Sequence, residues 1–121
     1  MHYMRLYTDP AGASHFQEVD VDLTPTDFAP PAPPLHLSAF IPSARFAFLG
    51  APSGWYGDWH PAPRRQMFFF LAGEFECTAS DGATRRFPAG SALLMEDTSG
   101  KGHATRVVSE QDALAAVVQL E

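Results

Sequence analysis

The sequence predicts an all-β protein, a sandwich or barrel of many short strands. Two observations lead there. Eleven prolines and nine glycines are spread along the 121 residues, and such punctuation breaks helices and favours short strands joined by turns. Apolar residues also alternate with polar ones in window after window, whereas no stretch of a dozen residues keeps a 3.6-residue period.

The elements follow in order. In "HFQEVDVDL", Val19, Val21 and Leu23 fall on one face and Glu18, Asp20 and Asp22 on the other. "APPAPP", Ala29 to Pro34, is expected as a polyproline II connector. In "LHLSAFI", Leu35, Leu37, Ala39 and Ile41 alternate with His36, Ser38 and Phe40, and "ARFAFLG" sets Phe46 and Phe48 side by side. "MFFFLAG" is apolar on both faces, which predicts a strand covered on both sides. "ECTASDGATRRF" reads as a hairpin turning at Asp81-Gly82, a pair suited to positive φ. "SALLMED" and "HATRVV" give two more strands. "ALAAVVQL" fits helix or strand, and the β-branched pair Val117-Val118 tips it to strand.

Length and charge bound the function. The chain is read as one domain, residues 1–121, long enough to bury one core. Its net charge of −6, its single lysine (Lys101) and the lack of a basic run argue against nucleic acid and against a polybasic membrane anchor. No segment is apolar for long enough to suggest a signal peptide or a membrane span. One cysteine, Cys77, allows neither an internal disulfide nor a cysteine zinc site, so a reducing cytoplasm is expected. Cys77 is read as a packed strand residue, and His2, His15 and His36 as surface or edge residues. "SGKG" lacks the spacing of a phosphate loop.

Glycine and histidine spacing carries the functional reading. Gly54 is followed by five residues and then His60; Gln66 comes six after that, and Gly73 seven further on. Then come Gly82, Phe87-Pro88, Gly90 and "GKGH", Gly100 to His103. From Gly54 to Val108 this resembles the two-part signature of the cupin superfamily, small jelly-roll β-barrels, with residues 1–50 as further strands of the same domain. The first cupin motif is a glycine, five residues, His-x-His, a spacer, a glutamate, six residues and a glycine. The second is a glycine, five residues, Pro-x-Gly, two residues, a histidine and then an asparagine. Gly54, His60, Gln66 and Gly73 fit the first. Gly90, Gly100 and His103 are matched to the second by allowing a small insertion in "EDTSGKGH".

The departures are chemical. The resemblance implies three histidines and a glutamate around a divalent ion, but the second histidine position is Ala62, the glutamate position is Gln66 and the asparagine position is Val107. The implied metal set is therefore His60, Gln66 and His103, with Glu96 or Asp97 on the "LLMED" strand as the nearest carboxylate and Glu96 taken as the fourth member. Zn, Fe, Ni or Mn would be held weakly, since a divalent ion wants about three or four protein donors. His60 and Gln66 are an even number apart, so an unbulged strand would put them on one face together with Phe68 and Phe70. Pro61 and Pro63 suit a rim, and Gly100 and Gly102 would let the chain turn His103 back across the barrel.

Three functions are open at this point. One is a binding or sensing barrel, with Tyr56, Trp59, Phe68 and Phe70 around the pocket and Trp55 near them. Arg64, with Arg65, would favour a small organic anion, because guanidinium forks onto carboxylate and phosphate. Another is a metal-dependent dioxygenase or isomerase using His60 and His103. The third is a metal-free epimerase-like enzyme with a histidine base and Tyr56 as acid. The surplus of apolar face predicts a homodimer.

Overall fold

A computed structural model describes residues 1–121. It holds twelve strands and no helix, so no helix is long and apolar enough to cross a membrane. In chain order the first six are β1 (His2–Thr8), β2 (Ser14–Asp20), β3 (Thr24–Thr26), β4 (Leu35–Leu37), β5 (Ser43–Ala51) and β6 (Tyr56–His60). The remainder are β7 (Gln66–Ala72), β8 (Glu74–Ala79), β9 (Thr84–Pro88), β10 (Ala92–Glu96), β11 (His103–Val107) and β12 (Ala113–Leu120). A six-stranded sheet runs β2-β1-β10-β7-β12-β5, and a four-stranded sheet runs β6-β11-β8-β9. All neighbours pair antiparallel except β1 with β10.

The two sheets pack face to face because each buries one side of its alternation. Leu6, Phe70, Leu93 and Ala115 from the large sheet meet Phe75, Cys77, Phe87 and Val107 from the small one in a single core. Phe70 stacks on Phe87 with ring centroids 5.1 Å apart and meets Phe75 at 5.4 Å. "ALAAVVQL" is strand β12, held between β7 and β5. The β8–β9 hairpin turns at Asp81-Gly82 as its sequence requires, with Gly82 at φ 94°.

Two expectations change. "MFFFL" is an interior strand, but only its Phe68 and Phe70 side faces the core; Phe69 and Leu71 are 44% and 47% exposed on the other side. Together with Phe46 and Phe48 of β5, 69% and 70% exposed, they form an apolar outer face that this chain does not cover. "APPAPP" is not an extended connector. It turns, closed by the Ala32 N–H donating to the Ala29 carbonyl at 2.9 Å, and joins the short strands β3 and β4 into a hairpin.

His15 ties the β1–β2 turn to the β8–β9 turn. Its Nε2 lies 2.6 Å from Asp9 and its Nδ1 2.9 Å from Asp81. Because each ring nitrogen meets a carboxylate, the clamp needs both nitrogens protonated. Hydrogen bonds to Asp9 and then Asp81 raise the His15 pKa from 6.5. The bond to His15 leads in lowering Asp9 from 3.8, and the bond from the Ala83 N–H leads in lowering Asp81 from the same value. The signs set a range. His15's contribution is complete below 6.5 and fades as pH rises through its raised value. The aspartates' contribution is complete above 3.8 and fades as pH falls through their lowered values. The melting-temperature difference between wild type and His15→Gln should therefore be largest at about pH 5 and shrink as pH rises through the raised His15 value. A difference independent of pH would mean that His15 acts by packing alone.

Candidate ligand-binding site

A cavity of about 280 Å³ opens between the two sheets. The large sheet contributes Phe68 and Phe70 of β7 and Leu93 and Met95 of β10; the small sheet contributes Phe75, Cys77 and Phe87. Gln66, His60, His103 and Thr105 are the other polar side chains on its wall. Leu49 to Ala51 of β5 and Trp55 complete the rim, and Trp55, 40% exposed, marks a side open to water.

His60 and His103 are brought together by pairing between β6 and β11, in which they sit directly opposite. Their ring centroids are 4.7 Å apart. His60 is exposed at the mouth, whereas His103 is 3% exposed. Gly102 makes the approach feasible. It sits at φ 74° with its Cα against the His60 and Pro61 backbone, where any Cβ would overlap main-chain atoms. Asp97, with no exposed surface, accepts a 2.5 Å hydrogen bond from His103 Nδ1 and leaves its Oδ1 without a partner. His60 Nδ1 is fixed in a similar way, 2.6 Å from the backbone oxygen of Asp58.

Sequence-predicted residues divide between the two sides of the sheets. His60, Gln66, His103, Phe68 and Phe70 all line the cavity. His60 and Gln66 do not share a strand, however. The Pro61-Ala62-Pro63 segment ends β6, and β7 begins in the opposite sheet, so the two residues meet across the cavity mouth rather than along one face. Glu96 is turned outward, paired with Arg5 and Arg65, because Met95 before it takes the inward position. Despite a desolvation cost that opposes them, those two arginines hold the Glu96 carboxyl below its usual value. Arg64 donates to the Leu120 carbonyl at 3.0 Å and is not on the cavity wall. Tyr56 and Trp59 line a shallow groove on the outer face of the small sheet, where Lys101 lies 4.2 Å above the Trp59 ring.

The sequence left open whether Glu96 or Asp97 faces inward; parity favours Asp97, since Leu93, Met95 and Asp97 are two apart and the first two point inward. Two cavity residues had no site role in the sequence reading. Thr105, whose buried hydroxyl has no partner, and Cys77 alternate inward on β11 and β8. Burial pushes the Cys77 thiol up to about 12, so it stays protonated and is a poor ligand or nucleophile.

No protein-family model matches the chain, and no curated protein matches it at a significant level. Solved structures do. A cupin 2 conserved barrel domain protein from Salinispora arenicola superposes with a TM-score of 0.52 at 20% identity, over 63% of this chain and 61% of its own. The cupin domain of Schizosaccharomyces pombe Cnp3 gives 0.51 at 18% identity, over 100% of this chain and 83% of its own. The fold is a cupin barrel. The DMSP lyase DddQ of Ruegeria pomeroyi also superposes, with a TM-score of 0.51 at 21% identity, although the match spans 63% of this chain and only 37% of the lyase.

With the cupin strands in place, the second motif can be counted without an insertion. Gly82, Pro88 and Gly90 put its histidine position at Leu93, fully buried on β10 against the cavity. His103 belongs to the next strand, β11. Of the four positions where the motifs place metal ligands, His60 is the one imidazole; the others are Ala62, Gln66 and Leu93. The Gln66 carbonyl oxygen already accepts from Gln119 at 3.2 Å. No cluster of three or more His, Cys, Asp or Glu side chains converges anywhere in the structure. Two imidazoles fall short of the about three or four protein donors a divalent ion is held by, so the residues present do not fit a resident metal.

Proposed function

We propose that the protein binds a small organic molecule in the cupin cavity. The observation that carries this reading is the cavity wall itself: mostly aromatic and aliphatic, with His60, Gln66, His103 and Thr105 as isolated polar groups. A few placed polar groups on an apolar wall are what orient a ligand. Ligands should be sought by thermal shift on wild type and on Leu49→Trp, which fills the rim side of the cavity. A ligand at a hundred times its Kd adds about 2.7 kcal/mol of stability. Molecules that stabilise wild type and not Leu49→Trp support the reading. Stabilisers that act equally on both would place their site elsewhere.

An enzymatic reading is favoured by one feature. A buried carboxylate on Nδ1 of His103 fixes the ring and its tautomer, the arrangement of a general base. No tyrosine lines the cavity, and Tyr56 is on the outer face, so the acid expected of an epimerase-like mechanism is missing from it. A metal-dependent mechanism meets the ligand shortfall described above. If a metal binds at all, protein purified without chelator or affinity nickel should hold it substoichiometrically by elemental analysis, and lose it to nearly the same extent in His60→Ala and His103→Ala. Full occupancy surviving both substitutions would put a metal site elsewhere.

We also infer a homodimer. The outer face of the large sheet exposes Phe46 and Phe48 on β5 and Phe69 and Leu71 on β7, with β12 between them, and β5 is an edge strand that ends the sheet. Monomers rarely leave so much contiguous apolar surface in water. Light scattering at micromolar concentration should give twice the 13.2 kDa chain mass. A single-chain mass would count against this.

A further inference from the structure

Resting on the binding reading above, we infer that the cavity selects an uncharged ring compound that donates a hydrogen bond, the class of small phenols, and not the organic anion that Arg64 and Arg65 suggested. The argument starts from the ring nitrogens. The Asp58 backbone oxygen 2.6 Å from His60 Nδ1 can only accept, so Nδ1 carries the proton. The Asp97 carboxylate 2.5 Å from His103 Nδ1 does the same for the second ring. In a neutral imidazole the other nitrogen is then an acceptor. Both rings line the cavity, and both make their hydrogen bonds through Nδ1, which leaves two Nε2 lone pairs for a ligand.

The rest of the wall agrees. It holds no Lys, Arg, Asp or Glu. Arg64 is spent on the Leu120 carbonyl and Arg65 on Glu96. An anion entering there would lose its hydration, meet two lone pairs and find only the neutral Gln66 amide and Thr105 hydroxyl as donors, a costly exchange. A hydroxyl group meets acceptors instead. Its ring would lie among Phe68, Phe70, Phe75 and Phe87, whose faces and edges suit an aromatic partner. About 280 Å³ is at the small end of ligand cavities and matches a single ring rather than a fused system.

The test uses three ligands of one shape: 4-methylphenol, toluene and 4-methylbenzoate. Each is titrated into the full chain at about pH 8, where free imidazole is neutral, and followed by ligand-observed NMR. Methylphenol should bind, toluene about tenfold more weakly for want of one hydrogen bond, and methylbenzoate least of all. His103→Leu should erase the preference for methylphenol over toluene while toluene still binds. His60→Leu, at the exposed mouth, gives the same reading should His103→Leu fail to fold. Tightest binding by methylbenzoate overturns the inference and leaves the binding reading intact. Equal binding of toluene and methylphenol by wild type overturns the assignment of the lone pairs. Failure of all three to bind overturns the binding reading and the inference with it.

Discussion

Gly102→Ala should destabilise the protein by about 3 kcal/mol or more and disorder the His60–His103 pair. Two costs add. An L-residue at φ 74° is in left-handed territory, which costs roughly 1–2 kcal/mol. The new methyl group would also overlap the carbonyl of His60 and the nitrogen of Pro61. Those are main-chain atoms and cannot rotate away, so β6 has to move, and overpacking of this kind costs about 1–3 kcal/mol. Gly54→Ala is the matched control. Gly54 has φ 81° but open space around its Cα, so it should show the dihedral cost alone. Urea denaturation of both variants separates the terms. A Gly102→Ala protein no less stable than Gly54→Ala would show that the β6–β11 contact is not tight, and with it the reason for a glycine at this position would disappear.

The fold was legible because it rests on periodicity. Alternation, the Asp81-Gly82 turn and the choice of strand for "ALAAVVQL" all concern residues within a few positions of each other. What alternation cannot say is what covers the second face of a strand. "MFFFL" is apolar on both sides, and in this chain only the Phe68 and Phe70 side is buried. Register, likewise, is set by long-range pairing. His60 opposes His103 forty-three positions along the chain, and nothing local specifies that partner.

The site was legible where a residue type was rare and lost where parity was ignored. His60, Gln66 and His103 stand out in an apolar neighbourhood, and all three reach the cavity. Tyr56 and Trp59 do not. Tyr56, four residues before His60, is turned away because the extra β6 residue between the His103–His60 and Thr105–Gly57 pairs reverses its side. For Trp59, adjacency gives the reason. Trp59 precedes His60 on a strand, so the two side chains leave by opposite faces. The same rule separates Glu96 from Met95. Motif matching left a choice of a different kind. Allowing an insertion to reach a histidine favoured His103, whereas the uninterrupted count lands on Leu93; a frame without gaps is the better guide to strand position, even where it ends on a residue that cannot ligate.

Asp97→Ala should cost about 2 kcal/mol of stability and loosen His103. Removing the carboxylate forfeits a hydrogen bond to a charged group, about 1.5–3 kcal/mol, and leaves the buried His103 Nδ1–H unpaired, about 1–3 kcal/mol more. Here the loss is partly offset. Asp97 Oδ1 is buried with no partner, a group whose desolvation costs about 1–3 kcal/mol and is relieved when the carboxylate goes. The difference leaves a net destabilisation near the figure above. Asp97→Asn should behave otherwise. Its amide oxygen can still accept from His103 Nδ1, so the tautomer that leaves Nε2 unprotonated is kept. The ring in Asp97→Ala has no such anchor and is free to protonate either nitrogen. Nitrogen-15 chemical shifts of His103 report the tautomer directly. They should be close to wild type in Asp97→Asn and move toward a tautomer average in Asp97→Ala. Unchanged shifts in Asp97→Ala would mean that something other than this carboxylate orients His103. Greater stability of Asp97→Ala than wild type would mean that burying the carboxylate costs the fold more than its bond to His103 returns.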